Sequence, residues 1–239
     1  MAKRDERGWR METRLVQGGL DRSHHGGTAE ALYLTSGFVY EQAGEAEDRF
    51  KDRTPGFMYS RYGNPTVTIL EERLAAIEGA AAACAVSSGM AAVHAALMCQ
   101  LRAGMRVVAA RALFRSSRSI SGEILPRFGI DAVFVDGADL AAWQAALDRP
   151  TDLVFFETPS NPTLELVDIA AVSALAHRAG AKVVVDNVFS TPLLQRPLAL
   201  GADIVVYSAT KHIDGQGRCL GGVVLGSQAF RDELLHPYL

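Results

Sequence analysis

The sequence predicts an α/β fold in which a mostly parallel sheet of about seven strands carries helices on both faces. Three observations predict it. Short apolar runs recur, RVVAA, DAVFV, DLVFFE, KVVVD, DIVVYS and GGVVLG among them, without the polar alternation of a half-exposed strand. Stretches of helical period, such as DLAAWQAAL and DIAAVSALAHRAG, separate them. No repeat or low-complexity tract breaks the alternation.

Composition narrows the function classes. With 239 residues, 49% of them hydrophobic, the chain can bury the core of one large domain, with room for a small appendage. Its net charge of -3 is spread over both signs, so it carries no basic footprint for nucleic acid and no polybasic membrane patch. Small acidic metabolites remain possible ligands of a local positive pocket. Cys84, Cys99 and Cys219 form no CxxC pair, and the first two lie in apolar runs, which predicts buried thiols in a reducing compartment, the cytoplasm. The opening run MAKRDERGWRMETR has no apolar stretch behind it, and no run of 18 apolar residues occurs, so neither secretion nor membrane spanning is expected. The six histidines show no metal-ligand spacing, and no metal is expected; His212 is open to a packing or a catalytic role.

Residues 1–65, rich in Gly, charge and aromatics, predict an extended arm with one helix within 41–51. An arm of that length needs a surface to lie on, and a neighbouring subunit is one. At its end Tyr59 and Arg61 stand two apart; in an extended segment they face the same way and make a phosphate clamp, or simply surface chemistry. A helix from Thr66 to Glu78 follows, expected to turn Val67, Leu70, Leu74 and Ile77 to the core and to stop at Gly79. The strand AACAV then leads through Ser87-Ser88-Gly89-Met90 into an Ala-rich helix reaching about Gln100. Free N–H groups at such a terminus favour an anion, although a plain Ser N-cap explains the same residues. Walker and GxGxxG spacings are both missing, so neither a nucleoside triphosphate nor a dinucleotide is indicated. After DLVFFE, the Pro-punctuated loop Thr158–Thr163 brings Asn161 to the sheet edge, and its prolines alone would account for the turn. Asp168 caps the next helix and Gly180 ends it.

The stretch Lys182–Lys211 organises the rest. Asp186 ends one buried strand, and Ser208, Thr210 and Lys211 follow another, so all four converge at the carboxyl edge of the sheet, where open α/β folds bind ligands. A lysine facing a carboxylate, with hydroxyls beside them, is what pyridoxal phosphate requires: an amine for its aldehyde, an anion for its pyridinium nitrogen, donors for its phosphate. A strand-end salt bridge between Asp186 and Lys211 is the alternative.

In order along the chain, YSRYGNPT, SSGMAA, ETPSNPTLE, VVVDNVFSTP and YSATKHIDGQGR resemble the pyridoxal-phosphate enzymes of cysteine and methionine metabolism, which have the aspartate-aminotransferase fold, type I. The resemblance runs from Thr13 to the end. It is strongest with the O-succinylhomoserine sulfhydrylase subgroup, through GLDRS, EALYLTSGFVY, ARALF and KHIDGQGRCLGGVVLG. It implies that Lys211 bonds the cofactor, that Asp186 pairs with the ring nitrogen, and that Ser208, Thr210 and the Gly89 and Met90 N–H groups, with Ser88 beside them, take the phosphate. Asn161 would lie near the ring 3-oxygen and the substrate. Phe114 stands where many relatives stack a tyrosine on the ring, and Arg115 where a glycine is usual. Tyr59 and Arg61 would reach the phosphate of a neighbouring subunit, in a homotetramer built from dimers that share active sites.

The implied organisation is an arm over 1–65 and a cofactor-binding large domain over 66–239. The family's carboxy-terminal domain, which grips the substrate carboxylate, is expected to lie beyond the chain. The implied function is an alkyl-group transferase of methionine biosynthesis, converting O-succinylhomoserine and sulfide to homocysteine and succinate. Cystathionine γ-synthase, O-acetylhomoserine sulfhydrylase, methionine γ-lyase and a non-catalytic fragment that only binds cofactor or assembles are the alternatives.

Overall fold

A computed structural model describes residues 8–239, so the first seven residues of the charged opening run lie outside the described residues. Two compact units make up the chain, Met1–Ile77 and Glu78–Leu239.

Within the first unit, α1 (Met11–Gln17), α2 (Ala43–Phe50) and most of α3 (Pro65–Glu78) are joined by irregular chain. The sequence reading placed one helix before α3 and overlooked α1, whose seven residues are too few for a helical period to register. Polar ties hold this unit. Arg73 donates to the Gly18 carbonyl at 2.9 Å and pairs with Glu30 at 3.3 Å, and Asn64 donates to the Tyr33 carbonyl at 3.0 Å. Two expectations need correction. In α3, Ile69, Leu74 and Ile77 are buried while Val67 and Leu70 are exposed; apolar residues cover so much of this helix that period alone does not select a face. Tyr59 and Arg61 lie on a turn, closed by the Tyr62 and Gly63 N–H groups on the Tyr59 carbonyl. The Ser-Arg-Tyr-Gly-Asn-Pro run bends rather than extends. Arg61 sits over the Tyr62 ring, 4.2 Å from its centroid, and 5.9 Å from that of Tyr59.

The second unit is built on seven five-residue strands: β1 (Ala82–Val86), β2 (Arg106–Ala110), β3 (Asp131–Val135), β4 (Leu153–Glu157), β5 (Lys182–Asp186), β6 (Ile204–Ser208) and β7 (Gly222–Gly226). Their order across the sheet is β1-β7-β6-β5-β4-β2-β3. Strands β2 to β6 run parallel, whereas β7 is inserted antiparallel to both its neighbours. Successive residues of a buried strand pack on opposite faces. Phe155 accordingly joins the core formed with α4 (Gly89–Met98), and Phe156 meets Trp143 edge to face at 5.9 Å on the other side. The first face also carries α5 (Arg115–Ser119) and α6 (Leu125–Arg127), joined by a wide turn; the second carries α7 (Leu140–Leu147) and α8 (Ile169–Arg178). Both faces of the sheet are covered, as the unbroken apolar strands required.

Capping follows the sequence. Asp139 and Asp168 each accept the N–H of an alanine in the first turn at 2.9 Å, and Gly79 and Gly180 end their helices at φ +84° and +79°. Of the thiols, Cys84 is buried and Cys99, at the C-cap of α4 and against the edge of the core, is half-buried. Among the described residues no helix is long and apolar enough to cross a membrane.

Candidate active site

At the carboxyl edge of the second unit the chain approaches itself too closely for side chains. A Cβ on Gly89 would lie 2.6 Å from the Ser208 Cβ, and one on Gly222 would lie 2.0 Å from the Ser88 carbonyl oxygen. Glycine at both positions lets the start of α4 meet the end of β6 and the start of β7. Ser88 spends its hydroxyl on the Ala91 N–H at 3.1 Å, so the Gly89 and Met90 N–H groups, the first two of the helix, have no intrahelical acceptor. With the Ser208 hydroxyl against them they are donors that an anion could use. Thr210 belongs to the same corner; its Oγ1 accepts the Gly221 N–H at 3.1 Å.

Past β6 the chain makes a wide turn, Ala209–Ile213, and leaves helical geometry at Lys211 (φ -94°, ψ -114°). The Lys211 side chain is exposed, and among the described residues its amine has neither hydrogen-bond nor ion-pair partner. No salt bridge joins it to Asp186. The plain structural explanation of these two residues is thereby removed.

Asp186, at the end of β5, is buried, and the one hydrogen bond to its carboxyl among the described residues comes from the Val188 N–H at 3.1 Å. Burial first, and then the Glu157 carboxylate on the adjacent strand, push its carboxyl up to about 7. Glu157 pairs in register with Asp186 and is itself 4% exposed. It accepts the Phe114 N–H at 2.5 Å, and this bond, with the Asn161 N–H beside it, partly offsets the upward push of its own burial. Two neighbouring buried carboxyls without a cation among the described residues are costly to ionise. Bringing a cation to Asp186 relieves that cost. Phe114, 38% exposed, opens α5, and Asn161 is half-buried in the loop after β4.

The donor set fits a phosphorylated pyridine aldehyde: a free amine, a buried carboxylate lacking a cation, and a cradle of N–H and hydroxyl donors at one sheet edge. Lys211, Asp186, Ser88, Gly89, Met90, Ser208, Thr210, Phe114 and Asn161 all lie in the second unit, on the loops that follow β1, β2, β4, β5 and β6 or at those strands' ends. Tyr59 and Arg61 belong to the first unit. A cavity of about 410 Å³ beyond β2 to β4 is lined by Arg111, Arg118, Asp136, Asn161, Thr163 and Glu165, so Asn161 is its one residue in common with this set. Among the described residues, no group of three or more His, Cys, Asp or Glu is placed to hold a metal.

Sequence reasoning passed over two carboxylates. Glu157 was visible as an acid ending a buried strand, as Asp186 does, but only strand register shows that the two are neighbours. Glu78, buried and pushed up to about 7 by that burial, accepts the Tyr207 hydroxyl at 2.6 Å. Tyr207 in turn accepts from Asn187, the residue after Asp186, at 2.6 Å. No local pattern links residues 129 positions apart.

Residues 12–236 match the family described as Cys/Met metabolism PLP-dependent enzyme. Over 217 residues the chain is 61% identical to an O-succinylhomoserine sulfhydrylase of Mycobacterium tuberculosis, covering 91% of this chain and 53% of that protein. It is 49% identical to an O-succinylhomoserine sulfhydrylase of Pseudomonas aeruginosa over 222 residues, 93% of this chain and 55% of the other. The chain thus spans about half the length of the curated relatives it matches. Among solved structures, a candidate O-acetylhomoserine (thiol)-lyase from Campylobacter jejuni, containing N'-pyridoxyl-lysine-5'-monophosphate, superposes with a TM-score of 0.88 at 31% identity, over 94% of this chain and 56% of that one. The methionine gamma lyase CalE6 of Micromonospora echinospora gives 0.86 at 37%, over 97% and 60%. These likenesses bear out the fold type I, aspartate-aminotransferase-like architecture.

Proposed function

Because the chain belongs to the Cys/Met metabolism PLP-dependent enzyme family, we propose that it forms the cofactor-binding part of an O-succinylhomoserine sulfhydrylase, which replaces succinate by sulfide to give homocysteine. The observation that carries this is the 61% identity to an enzyme of that name, at a site whose donors suit the cofactor. Pyridoxal 5'-phosphate, when bound, supplies an electron sink for carbanion chemistry at the substrate. The chain's own residues do the rest. Lys211 would hold the aldehyde through its amine and, when that amine is free, would serve as the base for the substrate Cα proton. Asp186 keeps the proton on the ring nitrogen, for which its burial and its lack of another cation suit it. The Gly89 and Met90 N–H groups with Ser208 and Thr210 anchor the phosphate. Phe114 offers an apolar face and no proton, and Asn161 an amide toward the ring oxygen and substrate.

On this reading the protein works in the cytoplasm as a homo-oligomer. Residues 1–65 act as an arm toward a neighbouring subunit, whose phosphate Tyr59 and Arg61 reach, and 66–239 form the cofactor-binding domain. The exposure of Leu34 (92%) and Val39 (93%) supports a partner for that arm. Relatives at 40% identity are named L-methionine gamma-lyase, so the assay must separate the two chemistries. An enzyme that contains this part, supplied with pyridoxal phosphate, is offered O-succinylhomoserine with sulfide, O-acetylhomoserine with sulfide, O-succinylhomoserine with cysteine, or methionine. Homocysteine formed at the highest kcat/KM from the first pair is the expected result. Faster release of methanethiol from methionine, or of cystathionine from cysteine, would overturn the assignment.

A further inference from the structure

We propose that Glu157 is a positioning residue of the cofactor site, one carboxylate that fixes the Phe114 and Asn161 backbones and sets the negative potential which Asp186 presents to the ring nitrogen. The inference rests on the pyridoxal-phosphate reading above. Glu157 ends β4, is 4% exposed, and accepts the N–H of Phe114 at 2.5 Å, with the Asn161 N–H near enough to favour its charged form. Those N–H groups come from separate loops, one after β2 and one after β4, and each loop carries a residue assigned to the ring. A single side chain at the strand end therefore sets the backbone of both ring contacts.

A neutral acceptor would serve a purely structural role with less penalty, because a buried carboxylate is costly to keep. Here the acid instead stands in register with Asp186, from β5. Among the described residues the charged and titratable groups around the pair are few. Tyr207, from β6, feels the charge of Asp186, and no Arg, Lys or His is paired with either acid. The two carboxyls thus form one desolvated negative site, whose cost falls when a protonated ring nitrogen arrives. Glu157 raises the affinity of that site for a cation, and lowers the stability of the protein without one.

These two consequences have opposite signs, which separates the proposal from simple packing. In Glu157→Gln, the cofactor-free protein should melt at or above the wild-type temperature at pH 8. The same variant should bind pyridoxal phosphate about tenfold more weakly by fluorescence titration, with a reduced visible circular-dichroism band and a spectral pH transition moved to lower pH. Glu157→Asp, which keeps the charge and shortens the reach, should lose the dichroism and keep the pH transition. Wild-type affinity, dichroism and pH transition in Glu157→Gln would overturn the proposal. So would a parallel loss of cofactor-free stability and binding, or the failure of both variants to fold, since each would make Glu157 a packing residue. Wild-type protein that takes up no pyridoxal phosphate would instead overturn the reading on which the proposal rests.

Discussion

The two ends of the same sheet treat charge in opposite ways. At the amino ends of the strands charges are answered. Arg106, which opens β2, donates to Thr151 Oγ1 at 2.6 Å, to the Ala146 carbonyl at 2.8 Å and to Asp131 at 3.2 Å. Asp203, just before β6, receives Lys182 Nζ at 2.8 Å and the Val183 N–H at 2.9 Å, with the His177 ring nitrogen at 2.8 Å. At the carboxyl ends, Asp186 and Glu157 lie buried without a cation among the described residues, and the Lys211 amine stands free. One edge is complete within the protein, and the other leaves its charges unanswered, as the proposed cofactor site requires. Stability and function are therefore separable by strand end, and substitutions at the two edges should fail in different assays.

The largest expected effect is at the ligand edge. Lys211→Ala should abolish the visible colour of protein incubated with pyridoxal phosphate, or move it to that of a substrate-bound form, and should lower homocysteine formation by orders of magnitude. Its melting temperature should barely move, because the amine has no partner to lose. A comparable loss of stability would break the contrast between the edges.

Arg106→Ala is the counterpart at the amino edge. Removing a buried guanidinium and its hydrogen bonds should cost about 3 kcal/mol in urea unfolding, while the folded fraction binds cofactor normally. Weakened cofactor binding per folded molecule would show that the edges communicate.

Much of this contrast was legible beforehand, for an identifiable reason. The strands announced themselves through uninterrupted Val, Ile and Phe, and Asp186 and Lys211 through their positions at strand ends. Caps such as Asp168 were equally visible, because capping is local. What escaped depends on chain segments far apart. The neighbourhood of Glu157 and Asp186 needs the β4–β5 register, the close approach of Gly89 to Ser208 needs β1 and β6 in place, and the link from Glu78 to Tyr207 spans the unit. The turn at Tyr59–Arg61 was local and still misread, since the extended spacing was weighed above its Gly-Asn-Pro turn chemistry.

The pH dependence sharpens the comparison further. Asp186 has a folded-state pKa raised to about 7, so its contribution to stability is fully present below the ordinary carboxylate range and lost as pH rises through 7. Asp186→Asn should thus stabilise the cofactor-free protein at pH 8, by up to about 3 kcal/mol, and have little effect at pH 4. Urea unfolding at the two pH values measures this; a larger effect at pH 4 would contradict the burial argument.

The smallest effect belongs to Asp203, whose pKa is lowered chiefly by Lys182, His177 and the Val183 N–H against the opposing push of burial. Here the sign reverses: the stabilisation is present above the ordinary carboxylate range and lost as pH falls through the lowered value. His177→Ala, which removes one half-exposed partner, should cost under about 1 kcal/mol at neutral pH and less at high salt. A cost independent of salt would assign His177 a neutral hydrogen bond or a packing role in place of an ion pair.

The place of β7 bears on how the molecule is made. Among the described strands β1, the earliest in the chain, pairs with β7, and β7 is wedged between it and β6. Until Gly226 has emerged, β1 has no partner in the sheet, and Gly222 is not yet against Ser88 to seat the start of α4. A nascent chain stalled before that point carries the lysine and the aspartate but only part of the anion cradle. On the proposed reading, synthesis would place a clock on the site: cofactor capture would wait for β7, and a polypeptide that stops short of it would hold the phosphate weakly.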